Sequence, residues 1–143
     1  MRELSPEEIR EFLTSGTRTG KLAVVRKDGR PHVSPIWFDL DDDGTLVFTT
    51  WHSSVKARAM RRDPRVSICV DREEPPYDYV RVDGSAELVD DRELVRRWAT
   101  RLGGRYMGAD RAEEFGAKNG VPGELLARVR ITRAVGLAEV AGW

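Results

Sequence analysis

One cysteine, two histidines and no long apolar run set the first limits on this chain. A lone thiol, Cys69, forms no internal disulfide, and the cytoplasm is therefore the expected location. No apolar stretch approaches the ~18 residues of a membrane span. The N-terminal segment from Met1 to Glu8 lacks the apolar core of a signal peptide. Charge of one sign is not in excess either. Lys plus Arg equals Asp plus Glu at 24 each, so net charge favours neither nucleic acid nor a membrane as partner. Gly-x-Gly-x-x-Gly is missing, as is any βαβ alternation, so a Rossmann dinucleotide site is not expected. His32 and His52 lack the companion thiols or carboxylates of a zinc site, and no metal is expected. Paired carboxylates suited to hydrolysis are also missing. No side chain can be named as catalytic, and any chemistry falls to a bound cofactor.

What is present describes an ordinary globular chain. Hydrophobic residues make up 40% and charged residues 34% of 143 positions, which fits one domain over residues 1–143. A helix is expected over residues 4–15, with Ser5 as N-cap, Pro6 at the first position and Glu8 completing a capping box. Strands follow. Lys21–Arg26 turns at Asp28-Gly29 into Pro31–Leu40, where Pro35 belongs on an edge or at a break. Asp41-Asp42-Asp43-Gly44 reads as a turn, since it lacks the alternating ligands of a calcium loop. Tyr79–Val89 is a long strand with Gly84 as a bulge. Asp90 caps an amphipathic helix that Gly103-Gly104 is expected to end. Glu113-Glu114-Phe115 fits a short helix, and Leu125–Val140 a last strand. Six or more strands joined mostly by tight turns point to a mainly β fold, an antiparallel β-barrel with flanking helices.

The stretch from Leu46 to Val70 organises the rest. Leu46-Val47-Phe48 reads as a buried strand, and four of the next six residues are the hydroxyl types Thr49, Thr50, Ser53 and Ser54. A basic helix carrying Lys56, Arg58, Arg61 and Arg62 follows, stopped by Asp63-Pro64. The first turn of a helix leaves backbone N–H groups without partners, and the macrodipole adds positive charge there. Hydroxyls and a lysine beside those donors make a site for a phosphate or carboxylate. The competing account is that Ser53 or Ser54 only caps the helix while the arginines lie in solvent. Trp51 and Tyr79 could instead stack nucleic-acid bases, but the balanced charge argues against that.

Several motifs carry a resemblance. Gly29-Arg30-Pro31-His32-Val33-Ser34-Pro35-Ile36-Trp37-Phe38, Phe48-Thr49-Thr50, Ser54-Val55-Lys56-Ala57 and Asp63-Pro64-Arg65-Val66-Ser67 resemble the pyridoxamine 5′-phosphate oxidase-like superfamily of split β-barrel flavoproteins. In that superfamily a Ser-Arg-Lys triplet grips the phosphate of flavin mononucleotide (FMN). Here it reads Ser54-Val55-Lys56, and Ser34 stands where the oxidase has a further arginine. Both departures are similar to the actinobacterial deazaflavin branch, which binds coenzyme F420.

The resemblance implies a homodimer with two cofactor sites at the interface and a small conjugated organic acceptor as substrate. It implies that Lys56 and Ser54 hold the phosphate, with Val55 beside them and Thr49 and Thr50 lining the groove. The backbone of Val33, Ser34, Pro35 and Ile36 would run beside the deazaflavin ring. Arg58, Arg61 and Arg62 would attract the cofactor's acidic tail, and Trp37, Tyr77, Tyr79 and Trp98 would be ring-stacking or interface aromatics. An FMN-dependent oxidase or reductase is the alternative, or a non-catalytic carrier of a cofactor or tetrapyrrole.

Overall fold

The structure, a computed structural model, describes residues 1–142. The chain opens with β1 (Arg2–Glu3) and α1 (Pro6–Thr14). Ser5 caps α1 as expected. Its hydroxyl accepts from Glu8 N at 3.2 Å, and the Glu8 carboxylate accepts from Ser5 N at 3.0 Å. Then come β2 (Gly20–Val25), β3 (Pro31–Ile36), β4 (Asp39–Leu40), β5 (Leu46–Trp51) and α2 (Val55–Arg62). The second half holds β6 (Arg65–Asp71), β7 (Tyr79–Val89), α3 (Arg92–Met107), α4 (Ala112–Asn119) and β8 (Glu124–Ala138). No helix among the described residues is long and apolar enough to cross a membrane.

The strands pair in the order β3-β2-β6-β7-β8-β5-β4, with β1 added to β8, and every pairing is antiparallel. The two ends of that order, β3 and β4, are joined by Trp37 and Phe38 alone. Laid flat, strands ~4.8 Å apart would separate them by roughly 29 Å. A link of two residues spans only about 10 Å. The sheet must therefore curl, and it closes into a split barrel with helices outside, the mainly β architecture expected from the pattern. Inside the curl, Leu22, Val24, Phe38, Phe48, Ile68, Val70, Val80 and Val82 are buried, and α1 adds Phe12 and Leu13. Gly84 is the bulge, with a register shift after Asp83. A side chain there would stand 2.6 Å from the Arg130 carbonyl oxygen.

Two expectations are corrected. The strand Pro31–Leu40 is two strands, and its break falls at Trp37-Phe38 rather than at Pro35. Pro35 stays in the ladder opposite Lys21, because β3 is an edge strand and a missing donor costs nothing on its open side. The second correction concerns α3. Asp91, not Asp90, caps it, accepting from Leu94 N at 3.1 Å, and the helix runs through Gly103-Gly104 to Met107.

These glycines serve close packing. A β-carbon at Gly103 would lie 2.5 Å from Phe115 Cβ, and one at Gly104 would lie 3.3 Å from Ala112 Cβ. The close approach of α3 and α4 outweighs the helix-breaking tendency of glycine. Gly103→Ala is expected to force the helices apart and lower stability by about 1–3 kcal/mol, read by urea unfolding. A gain in stability would show that helix propensity dominates at this position. Trp98, a candidate interface aromatic, is instead buried with Val47, Val95 and Leu126 between α3 and the outer face of β5 and β8.

Candidate functional site

The end of β5 and the start of α2 build one wall of the site. Ser54 is the N-cap of α2, and its hydroxyl accepts from Ala57 N at 3.1 Å. The same hydroxyl shares a 2.9 Å hydrogen bond with Thr50 Oγ1, and Thr50 is buried. Both hydroxyls are thus committed to the turn, as the capping account required. Lys56 is not committed. It is half-buried and enters no ion pair among the described residues.

Lys56 faces a cavity of about 290 Å³ shared with Pro35, Ile36, Trp37 and Thr49. Asn119 of α4 and Glu124 of β8 close it from the far side. Trp37 is held in place by packing: its ring stacks on Tyr106 at 5.3 Å and meets Phe115 edge-on at 5.7 Å. The Tyr106 hydroxyl donates to the Arg18 carbonyl at 2.9 Å and accepts from Phe38 N at 3.3 Å. Burial raises the pKa of that phenol. Burial also raises the Glu124 carboxyl, and the Lys56 charge acts against the rise. The cavity therefore holds a cation, a carboxyl group that burial favours in its neutral form, a stacked indole and the backbone of an edge strand.

Other expected site residues lie elsewhere within the chain. Val33 points outward from β3 and is 65% exposed, whereas Ser34 Oγ is buried without a hydrogen-bond partner. Val55 is exposed. Arg61 donates to the His52 carbonyl at 3.0 Å, tying down the turn before α2. Arg58 lines a separate basic cavity of about 310 Å³ with Arg26, Lys27 and Arg62. Tyr79 lines a third cavity, about 640 Å³, with Tyr77, Cys69 and the Lys21–Asp71 ion pair. Burial pushes the Cys69 thiol up, away from the reactive thiolate. One chain thus brings together Pro35, Ile36, Thr49 and Lys56, and leaves Val33, Arg58, Arg61 and Tyr79 apart from them. Glu124 and Asn119 escaped the sequence reading because no motif or spacing links them to α2.

The family model for pyridoxamine 5′-phosphate oxidase matches residues 5–136. The chain belongs to that family. A pyridoxine/pyridoxamine 5′-phosphate oxidase of Myxococcus xanthus (strain DK1622) is 34% identical over 88 residues, which cover 62% of this chain and 42% of the relative. The alignment therefore spans well under two thirds of that relative's length. Among solved structures, the conserved hypothetical protein Rv2991 of Mycobacterium tuberculosis superposes with a TM-score of 0.84 at 29% identity, covering 95% of this chain and 86% of that one. An F420 reductase superposes with a TM-score of 0.69 at 30% identity, covering 87% and 94%. An FAD-binding protein of Mesorhizobium loti gives 0.70 at 29% identity, covering 94% and 95%. This member of the pyridoxamine 5′-phosphate oxidase family thus shares its fold with proteins named for flavin and for deazaflavin.

Proposed function

We propose that this chain is an oxidoreductase that binds coenzyme F420 and passes a hydride from the reduced deazaflavin to a small conjugated organic acceptor. The observation that carries the reading is the unpaired Lys56 at the N-terminus of α2, which faces the cavity, while Val55 stands in the sequence where the FMN-binding triplet has arginine. One lysine and unpaired helix amides suit a phosphate of low charge. The residues present fit the cofactor in two further respects. β3 leaves one backbone edge unpaired beside the cavity, and the stacked Trp37 offers a fixed flat surface. The 30% identity to an F420 reductase supports the same assignment.

When bound, the deazaflavin supplies the hydride. The chain's own residues position it: Lys56 and the α2 amides hold the phosphate, and the backbone of Pro35 and Ile36 aligns the ring. A cavity of about 290 Å³ is too small to enclose such a cofactor, so a second surface must cover it. A second copy of the chain, packed on the exposed face of β3 that carries Val33, would supply that surface. The same copy would bring its Tyr79 to a ring that Tyr79 of the first chain does not reach.

An FMN-dependent oxidase is the second reading, favoured by the family model and by the FAD-binding neighbour. Parallel calorimetric titration with coenzyme F420 and FMN separates the two. Binding of F420 at least tenfold tighter than FMN is the expected result. The reverse order would assign the chain to flavin, and the weight placed on Val55 and Ser34 would be misplaced.

A further inference from the structure

Glu124 is a charge that the cofactor reading does not use. It is the first residue of β8, opposite Trp51, and it lines the same cavity as Lys56. Its backbone is fixed from both sides. Glu124 N donates to the Val121 carbonyl at 3.1 Å, and His52 N donates to the Gly123 carbonyl at 2.9 Å. Gly123 has φ +97° and packs so closely on Trp51 that a β-carbon there would lie 2.6 Å from the indole. The carboxylate itself takes no hydrogen bond or ion pair among the described residues. From α4 the neutral Asn119 faces the cavity, from α3 the apolar Ala99 and Leu102, and from the β3–β4 link Trp37. His52 is turned to the Gly123 carbonyl at 3.1 Å, which leaves Lys56 as the charge acting on Glu124.

We propose that Glu124 sets the charge this cavity accepts, cancelling the advantage that Lys56 alone would give a phosphomonoester over a phosphodiester. The inference rests on reading the cavity as the cofactor's phosphate site. A diester carries one negative charge, whereas a monoester carries nearly two at neutral pH, with its second ionisation near pH ~6. Lys56 alone would attract the monoester more strongly. With Glu124 ionised the two side chains sum to no net charge, so a second ligand charge gains no net attraction from the pair. Coenzyme F420 holds its phosphate as a diester and FMN as a monoester, so the carboxylate acts on FMN about twice as strongly. Burial, which favours the neutral carboxyl, makes the discrimination grow as pH rises.

The test is calorimetric titration of the full chain and of Glu124→Gln with F420 and with FMN, at pH 5 and pH 8. At pH 8 the variant is expected to bind FMN roughly tenfold tighter and F420 roughly threefold tighter, which narrows the selectivity. At pH 5, where burial keeps more of the carboxyl neutral, the two proteins differ less. In the unmodified chain FMN affinity falls from pH 5 to pH 8, although FMN's own ionisation would strengthen it on a purely cationic site. That profile serves equally if the variant fails to fold. An unchanged affinity ratio at pH 8, equal gains for both ligands, or FMN binding that strengthens with pH would each overturn the inference. Should Lys56→Ala weaken both ligands while Glu124→Gln leaves the ratio alone, only the role of Glu124 falls. Should neither ligand bind, the cofactor reading falls with it.

Discussion

Replacing Arg105 by alanine is expected to destabilise the fold by about 3–5 kcal/mol, the largest effect of any single change considered. Its side chain is only 9% exposed, and its guanidinium joins three parts of the chain. Nη1 donates to the Phe38 carbonyl at 2.6 Å, Nη2 to the Leu13 carbonyl at 2.8 Å, and Nε to the Gly16 carbonyl at 3.0 Å. The charge also sits 3.5 Å from Asp39 and 4.9 Å from the centre of the Phe38 ring. Leu13 lies in the last turn of α1, where carbonyls lack helical partners and where α1 has no basic residue of its own. Arg105 supplies from α3 the positive charge that this helix end favours.

Alanine would leave three carbonyls without this donor and Asp39 with Arg101, at 3.3 Å, as its remaining ion-pair partner. Hydrogen bonds to a charged group are worth about 1.5–3 kcal/mol each, and they do not add fully because the three share one side chain. The urea midpoint should fall with little change in slope, and the melting temperature should drop on the order of 10 °C. Arg105→Lys should recover only part of the loss, since an ammonium does not reproduce the planar fork. A cost below about 1 kcal/mol would mean that water replaces the guanidinium, and the pin between α1 and the β3–β4 link would be dispensable.

Lys56→Ala carries the second large expectation, and it concerns binding. Loss of a hydrogen bond to a charged phosphate should weaken F420 binding by about 1.5–3 kcal/mol, or roughly 10- to 150-fold. Stability should hardly change, because no ion pair among the described residues depends on Lys56. The helix start survives through Ser54, which caps it independently of the lysine. Val55→Arg is the informative companion. It puts an arginine where the FMN-binding triplet has one, and it should improve FMN relative to F420. Unaltered F420 affinity in Lys56→Ala would remove the phosphate from this cavity. A large loss of stability with it would instead make Lys56 a structural residue.

Much of the architecture could be read from local chemistry. The capping box at Ser5 and Glu8, the Asp28-Gly29 hairpin, the alternation of Val66, Ile68 and Val70, and the bulge at Gly84 each depend on near neighbours in the chain. Such features follow from backbone sterics and from burial of one strand face, which operate over a few residues. The Ser54 cap and the position of Lys56 on the first turn of α2 belong to the same class.

Tertiary structure decided the rest. Gly103-Gly104 has the local signature of a helix stop, yet the close approach of Phe115 and Ala112 keeps it inside α3. Trp98, one aromatic among several, became core because α3 packs on β5 and β8. Arg58 and Lys56 share a helix but face different cavities, since residues two apart lie about 200° around the helix axis and so on opposite faces. Glu124 joins Lys56 only because β8 pairs with β5 across the curl of the sheet. A charge brought near another from far along the chain leaves no periodicity to detect, so the approach of Glu124 to Lys56 appears only once the barrel has closed.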